Sequence, residues 1–233
     1  MKPTRLTLAL LTGLALSGGA QATLFDRGGG LIYDDVLDVT WLQDANYAMT
    51  SGYAADGLMT WDEATAWAAN LSYGGYDDWR LPAVLDTGTS GCNFAYSGTD
   101  CGYNVQTSDA GTSTVYSEMA SLYYDTLGNK AYYDTSGVGP QPGWDLPNTG
   151  PFQNWEPYYL YWSGLENASN SNYAWGFYSG DGYQGDGYYK NRVHFAWAVR
   201  PGDVAAPVPE PETYALLLAG LGLVGVAAKR RRG

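Results

Sequence analysis

Every long apolar run in this 233-residue chain lies at one of its two extremes, Leu6–Leu16 and Tyr214–Ala228. Whatever stands between them must fold from short segments, in the compartment to which the ends deliver it. Lys2 and Arg5 precede the first run, and small residues lead from it to Ala20-Gln21-Ala22. A short positive region, a short apolar stretch and an A-x-A site have the form of a secretory signal peptide, cut between Ala22 and Thr23. The fifteen residues of the second run would make a helix about 22 Å long. A hydrocarbon core is about 30 Å thick. Snorkelling by the basic cluster Lys229-Arg230-Arg231-Arg232 and local thinning make up part of the difference. Those basic residues stay on the cytoplasmic side. The expectation is a marginal anchor, with the interior of the chain held beyond the inner membrane.

The anchor is entered through Pro209-Glu210-Pro211 and closed by Arg230, Arg231 and Arg232. Residues 208–233 resemble the PEP-CTERM sorting signal: a Pro-Glu-Pro motif, an apolar helix over 214–228 and a terminal arginine cluster. The resemblance implies recognition by an exosortase, a membrane peptidase of Gram-negative bacteria that make extracellular polysaccharide. It also implies passage through the secretion machinery, transient attachment to the inner membrane, and a final place at the cell surface or in the extracellular matrix. A permanent C-terminal anchor is the alternative. Leu146-Pro147-Asn148-Thr149-Gly150 spells the sortase motif of Gram-positive walls, yet about sixty residues separate it from the apolar tail. In a stretch so dense in Pro, Gly and Asn, a turn-rich loop is the better reading.

The expected organisation is a signal peptide over 1–22, an α+β domain over 23–203, a linker over 204–207 and the sorting signal over 208–233. Without its ends the chain keeps six basic and twenty-two acidic residues, a net charge of −16. Such a surface repels nucleic acid, anionic lipid and sulfated polysaccharide. Cys92 and Cys101 are the only cysteines. In an oxidising compartment they are expected to pair and staple an Asn/Gly/Asp-rich loop, an effect of about 2–3 kcal/mol in the chain-entropy model.

Within the domain, "LIYDDVLDVTWLQ" offers extended segments rich in β-branched and aromatic residues. "TWDEATAWAANL" is the clearest helix: Thr60 and Glu63 form a capping box, with Trp61, Ala64, Ala68 and Leu71 at helical spacing. Gly74-Gly75 stops it. A second helix is expected over Val115–Leu127, with Val115, Met119 and Leu122 on one face. Further on, Tyr173, Trp175 and Phe177 alternate as strand residues do. Val193, Phe195, Trp197 and Val199 do the same, opposite His194, Ala196, Ala198 and Arg200. "SGDGYQGDGYYKN" reads as a long hairpin loop. Helices first and antiparallel strands last point to an α+β domain.

"DVTWLQDANYA", "MTWDEATAWAANLSYGGYDDWRLP", "YWSGLENASNSNYAWGFYSGDG" and "HFAWAVRPGD" resemble the exported family typified by the C-terminal domain of the Legionella collagen-like adhesin. That resemblance covers most of 31–203. It implies a C-type-lectin-like fold, distantly akin to that of formylglycine-generating enzymes. The adhesin's sulfated glycosaminoglycan ligand does not transfer to a domain at −16 without basic patches, nor does oxidase chemistry to cysteines that staple a loop.

Four residues near the last strands, Trp175, Asp181, Asp186 and Tyr188, are the candidate ligand contacts. Asp181 and Asp186, flanked by glycines, are also weak candidates for Ca²⁺, although a Gly/Asp loop is an ordinary hairpin connection. In "GGYDDWRLP", Trp79 and Leu81 are expected to pack inward while Arg80 pairs with a carboxylate. His194, the sole histidine, reads as a strand residue rather than a base. No G-x-S-x-G elbow, H-E-x-x-H or phosphate loop is present. The leading expectation is a non-enzymatic surface or matrix module that binds extracellular polysaccharide and needs no cofactor. The alternatives are a structural protein that associates through exposed aromatics, and a hydrolase using two of the many carboxylates.

Overall fold

Strand β1 (Leu24–Asp26), β2 (Leu31–Asp34) and β3 (Val39–Leu42) form an antiparallel meander, onto which the last strand, β9 (Val199–Pro201), closes in the order β1-β2-β3-β9. This computed structural model describes residues 23–88, 95–109 and 111–204. Ala22, Cys92, the motif Pro209-Glu210-Pro211, Arg230, Arg231, Arg232 and the two apolar runs lie outside the described residues. Among the described residues no helix is long and apolar enough to cross a membrane.

Helix α1 (Tyr47–Thr50) is a single turn. Helix α2 (Trp61–Ala69) begins at the expected capping box: Glu63 N–H donates to Thr60 Oγ1, and Thr60 N–H donates to Glu63 Oε2 at 2.9 Å. It ends at Asn70, before Gly74 and Gly75. Ala64, Trp67 and Ala68 are its buried face. The second helix differs from expectation. Val115 belongs to a short hairpin, β4 (Ser108–Asp109) and β5 (Thr114–Val115). Helix α3 (Glu118–Ala120) starts only after Ser117, whose Oγ accepts the Ala120 amide at 3.1 Å. It then widens into a π-helix over Ser121–Thr126. Met119 and Leu122 are buried as expected.

A second sheet holds β6 (Leu160–Glu166), β7 (Tyr173–Tyr178) and β8 (Tyr183–Tyr189) in that order, all antiparallel. The fold is therefore mixed α and β with antiparallel sheets. Among the described residues strands come first as well as last, since the last segment returns to β3. Residues 193–201 join the two sheets. Phe195 exchanges backbone hydrogen bonds with the start of β6, and Ala198 and Val199 reach Leu42 and Arg80. Both faces of this segment are consequently covered, and Phe195 through Arg200 are all buried. The two alternating faces expected over 193–200 are thus both covered from Phe195 onward. Only Val199–Pro201 is regular strand, and Val193 is exposed.

Trp197 is the centre of the core, with Trp41, Phe152 and Trp155 at ring-centroid distances of 5.0, 4.8 and 4.8 Å. Its indole N–H donates to Leu42 O at 2.7 Å. Trp79 and Leu81 are buried, as the W-R-L-P pattern led us to expect. Arg80 grips Glu118 through two bonds of 2.7 Å, while Asp78 is gripped by Arg200 at 2.7 and 2.9 Å. The Leu146–Gly150 stretch is tied down by reciprocal bonds between Asn129 and Asn148. Cys101 is fully buried and disulfide-bonded.

Candidate functional site

The segment expected to be a long loop is largely strand. β8 runs through it, leaving turns only at Ser179–Gly182 and at Lys190 and Asn191. Gly180-Asp181-Gly182 supplies the tight-turn chemistry. Gly182 has φ of +73°, and a Cβ there would run into the Tyr124 hydroxyl, which donates to Gly182 O. Asp181 Oδ1 accepts the Tyr183 amide at 3.0 Å, which fixes the carboxylate over the turn.

Tyr178 and Tyr183 are the last cross-strand pair before this turn, so their rings share a face. The register then slips. Gly176 faces Gly185, but Ala174 faces Tyr188, so Asp186 and Gly187 together oppose Trp175. This bulge restores Tyr188 to the face of Tyr183. Gly185 leaves the room between them, since a Cβ there would press on both rings. Tyr103 comes from the loop before β4 and meets Tyr183 edge-on at 5.1 Å. The result is an open cleft of about 290 Å³ lined by Tyr103, Tyr178, Tyr183, Tyr188 and Asp181. Tyr96 and Tyr133 extend the rings outward, at 6.3 and 5.1 Å from Tyr103.

Burial pushes the Asp181 carboxyl up to about 6, against the pull of the Tyr183 amide and the Tyr103 hydroxyl. Tyr183 is pushed up to about 12, first by burial and then by Asp186 and Asp181. The phenols therefore stay neutral donors at neutral pH while Asp181 carries the cleft's charge. Among the described residues no ion pair reaches it.

Of the four candidate contacts, Asp181 and Tyr188 meet in this cleft and the other two do not. Trp175 is 1% exposed and packs with Val84, Cys101 and Leu165 on the opposite face, so it is no surface contact. Asp186 accepts Asn167 Nδ2 at 2.8 Å, and after burial its carboxyl is raised by Asp86 and Asp100. Asp181 and Asp186 thus face different surroundings. Among the described residues no three His, Cys, Asp or Glu side chains gather as a metal site would require. His194 lies edge-on to Trp162 at 4.8 Å, with burial lowering its pKa to about 4. Tyr103, Tyr178 and Tyr183 were missed from the sequence. The available signal was the pair of tyrosines flanking a Gly-Asp-Gly turn.

A larger hollow of about 540 Å³ adjoins the back of this region, lined by Asn104, Asp109, Tyr116, Tyr124 and Asp125 among others. Two carboxylates line it, Asp125 and Asp109, the latter with its Oδ1 accepting the Gly111 amide at 2.8 Å.

In comparison with known proteins, the family described as the Lcl C-terminal domain matches residues 30–200. The PEP-CTERM protein-sorting motif matches residues 207–232. No curated protein matches, and no solved structure does. The motif marks the chain for export and for membrane-anchored processing by an exosortase in a Gram-negative bacterium, and so for the cell surface or matrix.

Proposed function

Since the chain belongs to the Lcl C-terminal domain family and carries an exosortase sorting motif, we propose that it is an adhesin-like surface or matrix protein that binds glycan without transforming it. The binding site is the tyrosine cleft. The observation that carries this reading is the convergence of four half-buried phenol rings on one carboxylate at a hairpin turn. Rigid rings with polar tips present stacking faces and hydrogen-bond donors at low entropic cost. A cleft of about 290 Å³ lies at the small end of ligand pockets, roughly 300–1,000 Å³, and suits a single sugar unit. The return of β9 to the opening meander supports the C-type-lectin-like reading of the fold.

Binding without catalysis is favoured because glycoside hydrolysis takes a pair of carboxyl groups, whereas Asp181 is the one carboxylate lining the cleft. The sulfated ligand of the family's adhesin is disfavoured here. Arg27, Arg80, Lys190 and Arg200 are all committed to internal ion pairs, which leaves little cation to grip a polyanion. Glycan-array binding by the full-length chain in mild detergent tests the proposal. Binding should be retained in Trp175→Phe and lost in the double variant Tyr103→Ala/Tyr183→Ala. An array with no positive, or an unaffected double variant, removes the cleft from consideration.

A further inference from the structure

We infer that the glycan recognised at the tyrosine cleft is cationic, an amino sugar whose protonated amine sits against Asp181 while its ring stacks on Tyr103 and Tyr183. This rests on the glycan-binding reading and names its ligand class. Three features select for a cation. Asp181 is recessed among rings, with its Oδ1 bonded to the Tyr183 amide at 3.0 Å and its Oδ2 only weakly engaged by the Tyr103 hydroxyl at 3.5 Å. Each oxygen therefore keeps a lone pair free for a donor. No cation of the protein fills that role among the described residues.

The faces of Tyr103, Tyr178, Tyr183 and Tyr188 add the attraction of ring quadrupoles for a positive charge. That attraction strengthens as water is excluded. A neutral N-acetyl sugar would stack on the same rings but leave the carboxylate without a charged partner. A carboxylated or sulfated sugar would meet Asp181 as a like charge. Asp181 also explains a pH limit. With its carboxyl pushed up to about 6 by burial, the anion that holds the amine is present above that pH and lost below it. The ionisable groups facing it are Tyr103, Tyr123, Tyr124, Tyr178, Tyr183 and Tyr188. All of them have raised pKa values and stay neutral across this range.

Calorimetry on the full-length chain in mild detergent, with a de-N-acetylated glucosamine tetramer and its N-acetylated counterpart, tests this. At pH 7 the free-amine tetramer should bind at least tenfold more tightly. Asp181→Asn, which keeps the acceptor for the Tyr183 amide, should erase that preference. The exposed Asp77→Asn, an equal charge change away from the cleft, should not. Wild-type preference, corrected for the measured ionisation of the tetramer's own amines, should fall about tenfold from pH 7 to pH 5. Equal binding of both tetramers, or equal effects of the two Asn variants, overturns the cationic reading and leaves glycan binding standing. Tetramethylammonium binding as tightly as the tetramer overturns the sugar component. No binding of either tetramer or of any arrayed glycan overturns both readings.

Discussion

Replacing Arg80 with Met separates a structural from a ligand-binding role for the W-R-L-P stretch. Glu118 has a side chain only 5% exposed and accepts three bonds of 2.7 Å, two from the Arg80 guanidinium and one from the Ala83 amide. Arg80→Met removes two of the three and leaves a buried carboxylate without its counter-charge. Breaking one partner of a buried pair costs about 3–5 kcal/mol. The Arg80 side chain is 38% exposed, so water can partly replace it and the lower end, about 3 kcal/mol, applies. The companion Glu118→Gln should cost less, because the Ala83 amide keeps its acceptor and the remaining Arg80 charge is near solvent. The double variant Arg80→Met/Glu118→Gln should recover at least about 1 kcal/mol relative to additivity. Urea unfolding of the three variants, read by tryptophan fluorescence, gives these values. An Arg80→Met loss under about 1 kcal/mol, or strict additivity, would mean that Glu118 is hydrated and that the pair does not brace the α3 terminus. Loss of glycan binding in the folded variant would place Arg80 at the ligand instead.

Gly182→Ala should destabilise by about 1–2 kcal/mol from the left-handed backbone alone, and more from the Tyr124 contact. It should also weaken ligand binding by disturbing the Asp181 turn, measurable by thermal melt and calorimetry together. His194, the sole histidine, should titrate near 4 in the folded state, read from its single imidazole NMR signal. Its folded pKa lies below the unfolded value, so the stability it confers is complete above pH 6.5 and is lost as pH falls through 4. A midpoint near 6.5 would show the ring to be solvated.

What was legible in the sequence was local chemistry. The Thr60–Glu63 capping box needs only four residues to declare itself, and the extended segments of β2 and β3 need only short runs of β-branched and aromatic residues, although their pairing with each other needed the fold. Arg80 was read as paired, but its partner, thirty-eight residues away, required the fold. The helix over 115–127 was misplaced at its start because Thr114 and Val115 find strand partners in Ser108 and Asp109, a gain that no helical periodicity records. Trp175 was misassigned for a related reason. Alternation gives two faces but not which one meets solvent, and here the tryptophan face is the covered one. The bulge at Asp186 and Gly187 was invisible, since a two-against-one register depends on the partner strand as much as on β8 itself.

The abundance of tyrosine and tryptophan has a single physical origin in core and cleft. A domain with many irregular connections must satisfy carbonyls in loops, at strand ends and at bulges that no ladder or helix reaches. Here long aromatic side chains do so while burying apolar area. Trp61 reaches Ser163 O, Trp162 reaches Met59 O, and Trp197 reaches Leu42 O, over separations of more than a hundred residues. Tyr123 holds Lys130 O and Asp145 O, and Tyr124 holds Gly182 O. The rule is not universal, because the indole nitrogens of Trp41, Trp155 and Trp175 are buried without a partner. Still, each ring that ties a loop to the interior carries the rigidity of the core to the surface. Tyr124 anchors the very turn that holds Asp181, and its phenol also accepts the Asn104 amide beside Tyr103. The cleft is therefore the outer edge of the aromatic core, and its rings are held in place before any ligand arrives. Preorganisation of this kind lowers the ordering cost of binding, and it would let the proposed site, a few phenols and one carboxylate, be selective.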